Sequence, residues 1–224
     1  MSTDQIKTWT GEFGRAYTDR NRFETLDEIN AFYATRFGRS RDDLNRDWLG
    51  FLPRETRVLE VGANVGNQLR ALQHIGFRDL HGIEIQRRCV EEAERLKPGI
   101  DIVEGSGFEI PFPAASFDLV FTSGVLIHIA PDDLPRIMGE IYRVSRRYIF
   151  GLEYYAPQTQ EILYRNQSGL LWKGDYAALY GRQFPDLKLL REERLPYRDD
   201  SGNVDQLFLL EKPGLEKPMS GKAL

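Results

Sequence analysis

One nine-residue run constrains this chain more than any other: Val58-Leu59-Glu60-Val61-Gly62-Ala63-Asn64-Val65-Gly66. Apolar residues around a single acid read as a short buried strand over 57–61, which runs straight into a glycine turn. A helix is expected over 64–75, with Leu69, Leu72 and Ile75 on one face and Gly76 placed for a C-terminal cap. Gly62 lets a ligand approach the backbone closely, and Gly66 lets the helix pack near the strand. A strand–turn–helix of this kind forms a nucleotide site at the carboxyl end of a parallel sheet.

The same rhythm continues downstream. Strands are expected over 80–85, 101–104, 117–122 and 147–153. Helices are expected over 87–96, stopped by Pro98 and Gly99, and over 132–144, with Pro131 near the start and Asp132 as its cap. Such alternation implies right-handed βαβ units and a parallel sheet. Segments 187–195 and 205–211, joined by Asp199-Asp200-Ser201-Gly202-Asn203, read as an antiparallel hairpin ending that sheet. The first fifty residues read as helical. Ser40 is an N-cap followed by Asp42 and Asp43, with Leu44, Trp48, Leu49 and Phe51 as an apolar face and Pro53 as the stop. The expected fold is α/β: a Rossmann-like, mostly parallel sheet with helices on both faces, a C-terminal antiparallel hairpin and an N-terminal helical extension. The expected division is a helical cap over 1–52, one domain over 53–212 and a flexible tail over 213–224.

At 224 residues the chain can fill one core. Its net charge of −4 supplies no basic field for nucleic acid or an anionic membrane. Arg36, Arg39, Arg41 and Arg46 are interleaved with acids and read as a solvated helical face. Cys89 stands alone, so no internal disulfide forms, and without a His/Cys cluster no metal site is expected. No apolar run approaches the ~20 residues that span a bilayer, and residues 1–19 hold no apolar signal core. These features point to a cytoplasmic protein with a small-molecule partner and with neither nucleic acid nor membrane. The N-terminal helices could serve as a lid, a dimer surface or both, which leaves a homodimer open.

A dinucleotide fingerprint would need glycine at 60 and 65, where this chain has Glu60 and Val65. The Glu60 carboxylate would repel a pyrophosphate and suits a cation, which argues against a nicotinamide oxidoreductase. Glu84 ends the second strand, 22 residues beyond Gly62, where an acid can accept both ribose hydroxyls and disfavours a 2′-phosphate. With Ser116-Phe117-Asp118-Leu119-Val120, these residues resemble the class I S-adenosylmethionine-dependent methyltransferases over roughly residues 55–155. The resemblance implies S-adenosylmethionine as cofactor, with Glu60 and Gly62 at the methionine end and Glu84 at the ribose. Ser106 and Gly107 would flank the adenine, where many members carry Asp in place of Ser106. Asn64, Ile85 and Ser123 complete the implied set, and Tyr17 would close over the cofactor with Arg20.

Further segments carry a narrower likeness: Phe13-Gly14, Tyr17-Thr18-Asp19-Arg20-Asn21, Gly124-Val125-Leu126-Ile127-His128-Ile129, Glu153-Tyr154-Tyr155, Tyr164-Arg165 and Lys173-Gly174-Asp175-Tyr176. Together they resemble the pseudaminic acid biosynthesis-associated methylases. Methyl transfer is an in-line displacement that needs alignment and exclusion of water. His128, after the fourth strand, is the leading base, against a structural histidine. Glu153 would hold a cationic acceptor nitrogen walled by Tyr154 and Tyr155, against a sheet-edge acid with packed aromatics. Tyr164, Arg165, Lys173 and Asp175 would read the acceptor, the two cations suggesting a carboxylate on it, against ordinary surface charges. The expected reaction moves a methyl group from S-adenosylmethionine to a nitrogen or oxygen of a small polar acceptor, such as an amino sugar or a free amino acid, arginine included. The rivals are a non-catalytic S-adenosylmethionine-binding module and a protein methyltransferase. Against a nucleic-acid substrate stands the lack of an Asn/Asp-Pro-Pro-aromatic motif after the fourth strand.

Overall fold

Apolar residues run almost unbroken through the central strands, so both sheet faces must be covered. The structure, a computed structural model, describes residues 4–96 and 99–213. Four helices come first: α1 (Asp4–Thr10), α2 (Glu12–Arg20), α3 (Leu26–Phe37) and α4 (Arg41–Leu49). There follow β1 (Arg57–Val61), α5 (Asn67–His74), β2 (Asp79–Glu84), α6 (Arg87–Leu96), β3 (Asp101–Glu104) and β4 (Phe117–Ser123). A 3₁₀ turn (Leu126–His128) leads to α7 (Leu134–Val144) and β5 (Ser145–Tyr154). The chain continues through β6 (Gln160–Glu161), β7 (Trp172–Lys173) and α8 (Tyr176–Gln183) to the hairpin β8 (Lys188–Pro196) and β9 (Val204–Glu211).

The main sheet has the order β3-β2-β1-β4-β5-β9-β8. Strands β1 to β5 pair in parallel, and β9 joins β5 and β8 antiparallel. Side-chain alternation sorts the core into two layers. Val58, Leu119, Phe121, Phe150 and Leu207 pack against α3 to α6, whereas Leu59, Val120, Ile149 and Phe208 pack against α7 and α8. The Rossmann-like sheet, the helices on both faces and the terminal hairpin are as the sequence predicts.

Some boundaries move for local reasons. The first βα helix begins at Asn67 rather than 64, because Asn64 (φ 50°) and Gly66 (φ 78°) take left-handed backbone in the turn. Asp132 caps nothing: α7 starts at Leu134 after Asp133, which makes no side-chain cap bond. Ser40 does cap α4, in a capping box with Asp43. Phe51 leaves the expected apolar face and is 58% exposed, lying edge-on to Tyr148. The arginine cluster is not one solvated face, since Arg41 is 1% exposed. Helix α8 and the β6–β7 pair were not anticipated. Pro98 and the tail beyond Pro213 lie outside the described residues. Among the described residues no helix is long and apolar enough to cross a membrane.

Candidate cofactor and acceptor site

The carboxyl ends of β1, β2 and β4 open into a cavity of about 330 Å³, roofed by the N-terminal helices. Glu60 enters it from β1, 2% exposed. Its Oε2 has no hydrogen-bond partner. Burial drives the Glu60 carboxyl well above the usual carboxylate range, and the Arg41 guanidinium only partly opposes this. Gly62 turns the chain at φ 75°, and a Cβ there would come 2.7 Å from Val125 Cγ2. Asn64 donates its backbone N–H to Glu84 Oε2 at 2.8 Å, and Gln86 donates to Oε1 at 2.8 Å. The two peptide donors fix the Glu84 carboxylate at the end of β2, although burial still raises its pKa.

Further along, Ser106 accepts the Phe108 N–H at its Oγ. Gly107 lies against Ile137, whose Cδ1 would be 2.7 Å from an added Cβ. Ile85, Ser123 and Tyr17 also line the cavity. Of the residues expected at the cofactor only Arg20 is elsewhere: it lies exposed in the last turn of α2.

The second half of the cavity is aromatic. His128 packs tilted against Trp9 at 4.4 Å between centroids and meets Tyr17 and Tyr164 at 5.8 and 5.7 Å. Its Nδ1 lies 2.7 Å from the Leu170 carbonyl, which can only accept, so Nδ1 carries the proton and Nε2 keeps its lone pair. Burial lowers the His128 pKa to about 4, so the ring is neutral at pH 7. Gln5 of α1 ties the roof down by bonding the His128 carbonyl and the Ala130 N–H. Tyr154 lines the same space from β5.

Several expected acceptor residues are not in the cavity. Glu153 is 0% exposed and accepts the Val125 and Ile127 N–H groups at 3.2 and 3.3 Å. It pins the loop that carries His128, on the opposite sheet face from Tyr154. Asp175 caps α8 through the Ala178 N–H and pairs with Arg194. Tyr155 packs under the Arg194 guanidinium at 3.6 Å. Lys173 bonds Asn203, and Arg165 sits in an exposed turn at φ 51°. Only Tyr164 of that group faces the cavity.

The structure supplies instead Arg36, Tyr197 and Asp205, which the sequence reading missed. The Arg36 guanidinium lies between the Phe32 and Tyr197 rings, 4.5 Å from each centroid. Its Nε lacks a hydrogen-bond partner, and its ion pair with Asp199 is long, at 3.6 Å. Asn67 Oδ1, Gln68 Oε1 and Trp9 Nε1 are likewise buried without partners among the residues lining the cavity. Orphaned donors and acceptors gathered on one cavity are what a polar ligand leaves behind. An unpaired acid at the glycine turn, a fixed acid at the end of β2 and a backbone stripped of side chains at Gly62 and Gly107 fit S-adenosylmethionine.

Residues 59–148 match the family described as a methyltransferase domain. Over that stretch, 90 of the 224 residues, the chain is similar to a methyltransferase domain. A glycine/sarcosine/dimethylglycine N-methyltransferase of Actinopolyspora halophila is 33% identical over 98 residues, 41% of this chain and 17% of that protein. The chain spans 17% and 53% of the lengths of two curated relatives it matches. The Burkholderia thailandensis 1,6-didemethyltoxoflavin-N1-methyltransferase, solved with 1,6-didemethyltoxoflavin and S-adenosylhomocysteine, has a TM-score of 0.64 at 16% identity, covering 90% of this chain and 89% of its own. The magnesium protoporphyrin IX methyltransferase of Synechocystis, solved with S-adenosylmethionine, has a TM-score of 0.65 at 15% identity, covering 94% and 98%. At these identities the structures speak to the shared fold.

Proposed function

We propose that this protein methylates a nitrogen of a small acceptor that bears a carboxylate, an amino acid or an amino sugar acid, using S-adenosylmethionine. The observation that carries the reading is the aromatic half of the cavity with one incompletely paired guanidinium, Arg36, at its wall. Arg36 would take the acceptor carboxylate, and Trp9, Tyr17 and Tyr164 would exclude water and favour a cationic or methylated nitrogen. Glu60 would hold the cofactor's ammonium and Glu84 its ribose hydroxyls. Bound S-adenosylmethionine supplies an electrophilic methyl group. Neutral His128 would accept an N–H from the acceptor at Nε2 and so orient the lone pair for attack. Residues 1–52 act in this reading as a cap over the domain at 53–212.

The curated relative's printed acceptors, glycine and its methylated derivatives, agree with such a cavity. The likeness to pseudaminic acid-associated methylases supports an amino sugar acid equally. A guanidine acceptor loses its support, because Glu153 and Asp175 are both engaged elsewhere. The test is radiolabelled methyl transfer to glycine, sarcosine, amino sugar acids and peptides in parallel. Label in a small amino acid or sugar acid is expected. Label only in peptides would favour the protein-methyltransferase rival, and cofactor binding without any transfer would favour the binding module.

A further inference from the structure

We propose that Tyr154, Tyr197 and Asp205 form a proton relay that carries the acceptor's proton away from the cavity, with Asp205 as its terminus. The proposal rests on the methyltransferase reading above and names the group that reading leaves open.

The relay is built into the sheet. Tyr154 on β5 and Asp205 on β9 are direct cross-strand partners, so their side chains share one face. Tyr197 follows β8 and is held to Asn203 through its backbone N–H, which returns its ring over the same face. The Tyr197 hydroxyl donates to Asp205 Oδ1 at 2.9 Å. Having spent its proton on that bond, the Tyr197 oxygen can only accept from its other neighbour. That neighbour is Tyr154, edge-on with ring centroids 5.9 Å apart. All three residues line the cavity. The donor order is therefore Tyr154 to Tyr197 to Asp205, and the Tyr154 oxygen is left to accept from the cavity.

Charge supports that direction. Asp205 is 6% exposed. Burial raises its pKa to about 7, moderated by the Tyr197 hydroxyl and by Arg36 from α3, Lys173 from β7 and Arg41 from α4. His128, at about 4, cannot hold a proton near neutrality. From an ammonium of pKa about 10, transfer to Asp205 is uphill roughly a thousandfold and to His128 roughly a millionfold. The balanced step moves the acceptor N–H proton to the Tyr154 oxygen, the Tyr154 proton to Tyr197 and the Tyr197 proton to the Asp205 carboxylate. The nitrogen–methyl bond forms as the sulfur–methyl bond breaks. Asp205 leaves the cycle as a carboxylic acid and sheds its proton to solvent when product departs.

The test joins kinetics to a titration that needs no acceptor. S-adenosylhomocysteine formation is followed against pH with sarcosine and glycine, and carboxyl shifts are followed in ¹³C-aspartate-labelled protein. In wild type one carboxyl should titrate near pH 7, vanish in Asp205→Asn and move upward in Tyr197→Phe, which loses a bond to the charged form. Asp205→Asn should lower kcat about 100-fold or more and abolish the limb of kcat near pH 7, while calorimetry shows unchanged S-adenosylhomocysteine binding. Tyr154→Phe and Tyr197→Phe should also break the limb, which mere loss of packing would not do. An unshifted pH profile in Asp205→Asn, or no carboxyl titrating between pH 6 and 8, overturns the relay. If wild type binds S-adenosylhomocysteine yet methylates no acceptor, the methyltransferase reading fails, and the carboxyl titration alone judges the relay.

Discussion

Replacing Glu60 by Gln should move stability and cofactor affinity in opposite directions. In the free protein the Glu60 carboxyl is buried, lacks a partner at Oε2 and has a pKa well above the carboxylate range. The folded state therefore binds a proton that the unfolded chain has lost. Between the unfolded and folded pKa values stability must fall as pH rises, by about 1.4 kcal/mol per pH unit. Glu60→Gln keeps the shape and removes that slope. Its advantage over wild type should be small near pH 4.5 and grow with pH until the folded-state carboxyl ionises, each kcal/mol being worth roughly 2–4 °C in Tm at this chain length. Cofactor binding should suffer, since a charge-assisted hydrogen bond to an ammonium contributes about 1.5–3 kcal/mol, or roughly 10- to 100-fold in Kd. Pairing with that ammonium would lower the Glu60 pKa, so wild type should release a proton on binding at any pH where the free-protein carboxyl is still protonated. The assays are thermal unfolding from pH 5 to 9 and calorimetry of S-adenosylmethionine in two buffers of different ionisation heat. Unchanged affinity in Glu60→Gln, or a stability difference that does not grow with pH, would refute the reasoning.

Three more outcomes follow from the same geometry. Relative to wild type, His128→Gln should lose a destabilisation that sets in as pH falls from 6.5 toward 4, roughly 3 kcal/mol in all, because a histidine buried neutral must charge on unfolding; acid titration monitored by circular dichroism reads it. Ser40→Ala removes the capping box of α4 and should cost about 1 kcal/mol in urea unfolding, with cofactor affinity unchanged. Gly151→Ala would place a Cβ 2.2 Å from Phe208 Cζ in the middle of the sheet, and a loss of at least about 1–3 kcal/mol is expected in the same assay.

The glycine-turn half of the cavity was legible in the sequence because its determinants are local. Glu60, Gly62 and Asn64 sit in one turn, and Glu84 ends the next strand, so spacing alone places them together. The aromatic half was not, because its residues meet only through the fold. Arg36 reaches Tyr197, and Gln5 reaches His128, across separations that no motif spans. Glu153 and Tyr154 show the limit most clearly. They are adjacent in sequence and alike in promise, yet the pleat sends one under the His128 loop and the other into the cavity. Asp175 misled for a related reason, since an acid before an unrecognised helix is a cap.

The roof over His128 comes from α1 and α2, and the Tyr197–Asp205 wall from the β8–β9 hairpin. The stretch between β1 and β5 carries the proposed cofactor pocket without either. Information for the two ligands is thus written in different lengths of chain. Exchanging the outer segments between related sequences would be expected to re-specify the acceptor while leaving cofactor affinity intact. The reverse exchange, of the central stretch alone, would transplant the cofactor site and leave the choice of acceptor where it was.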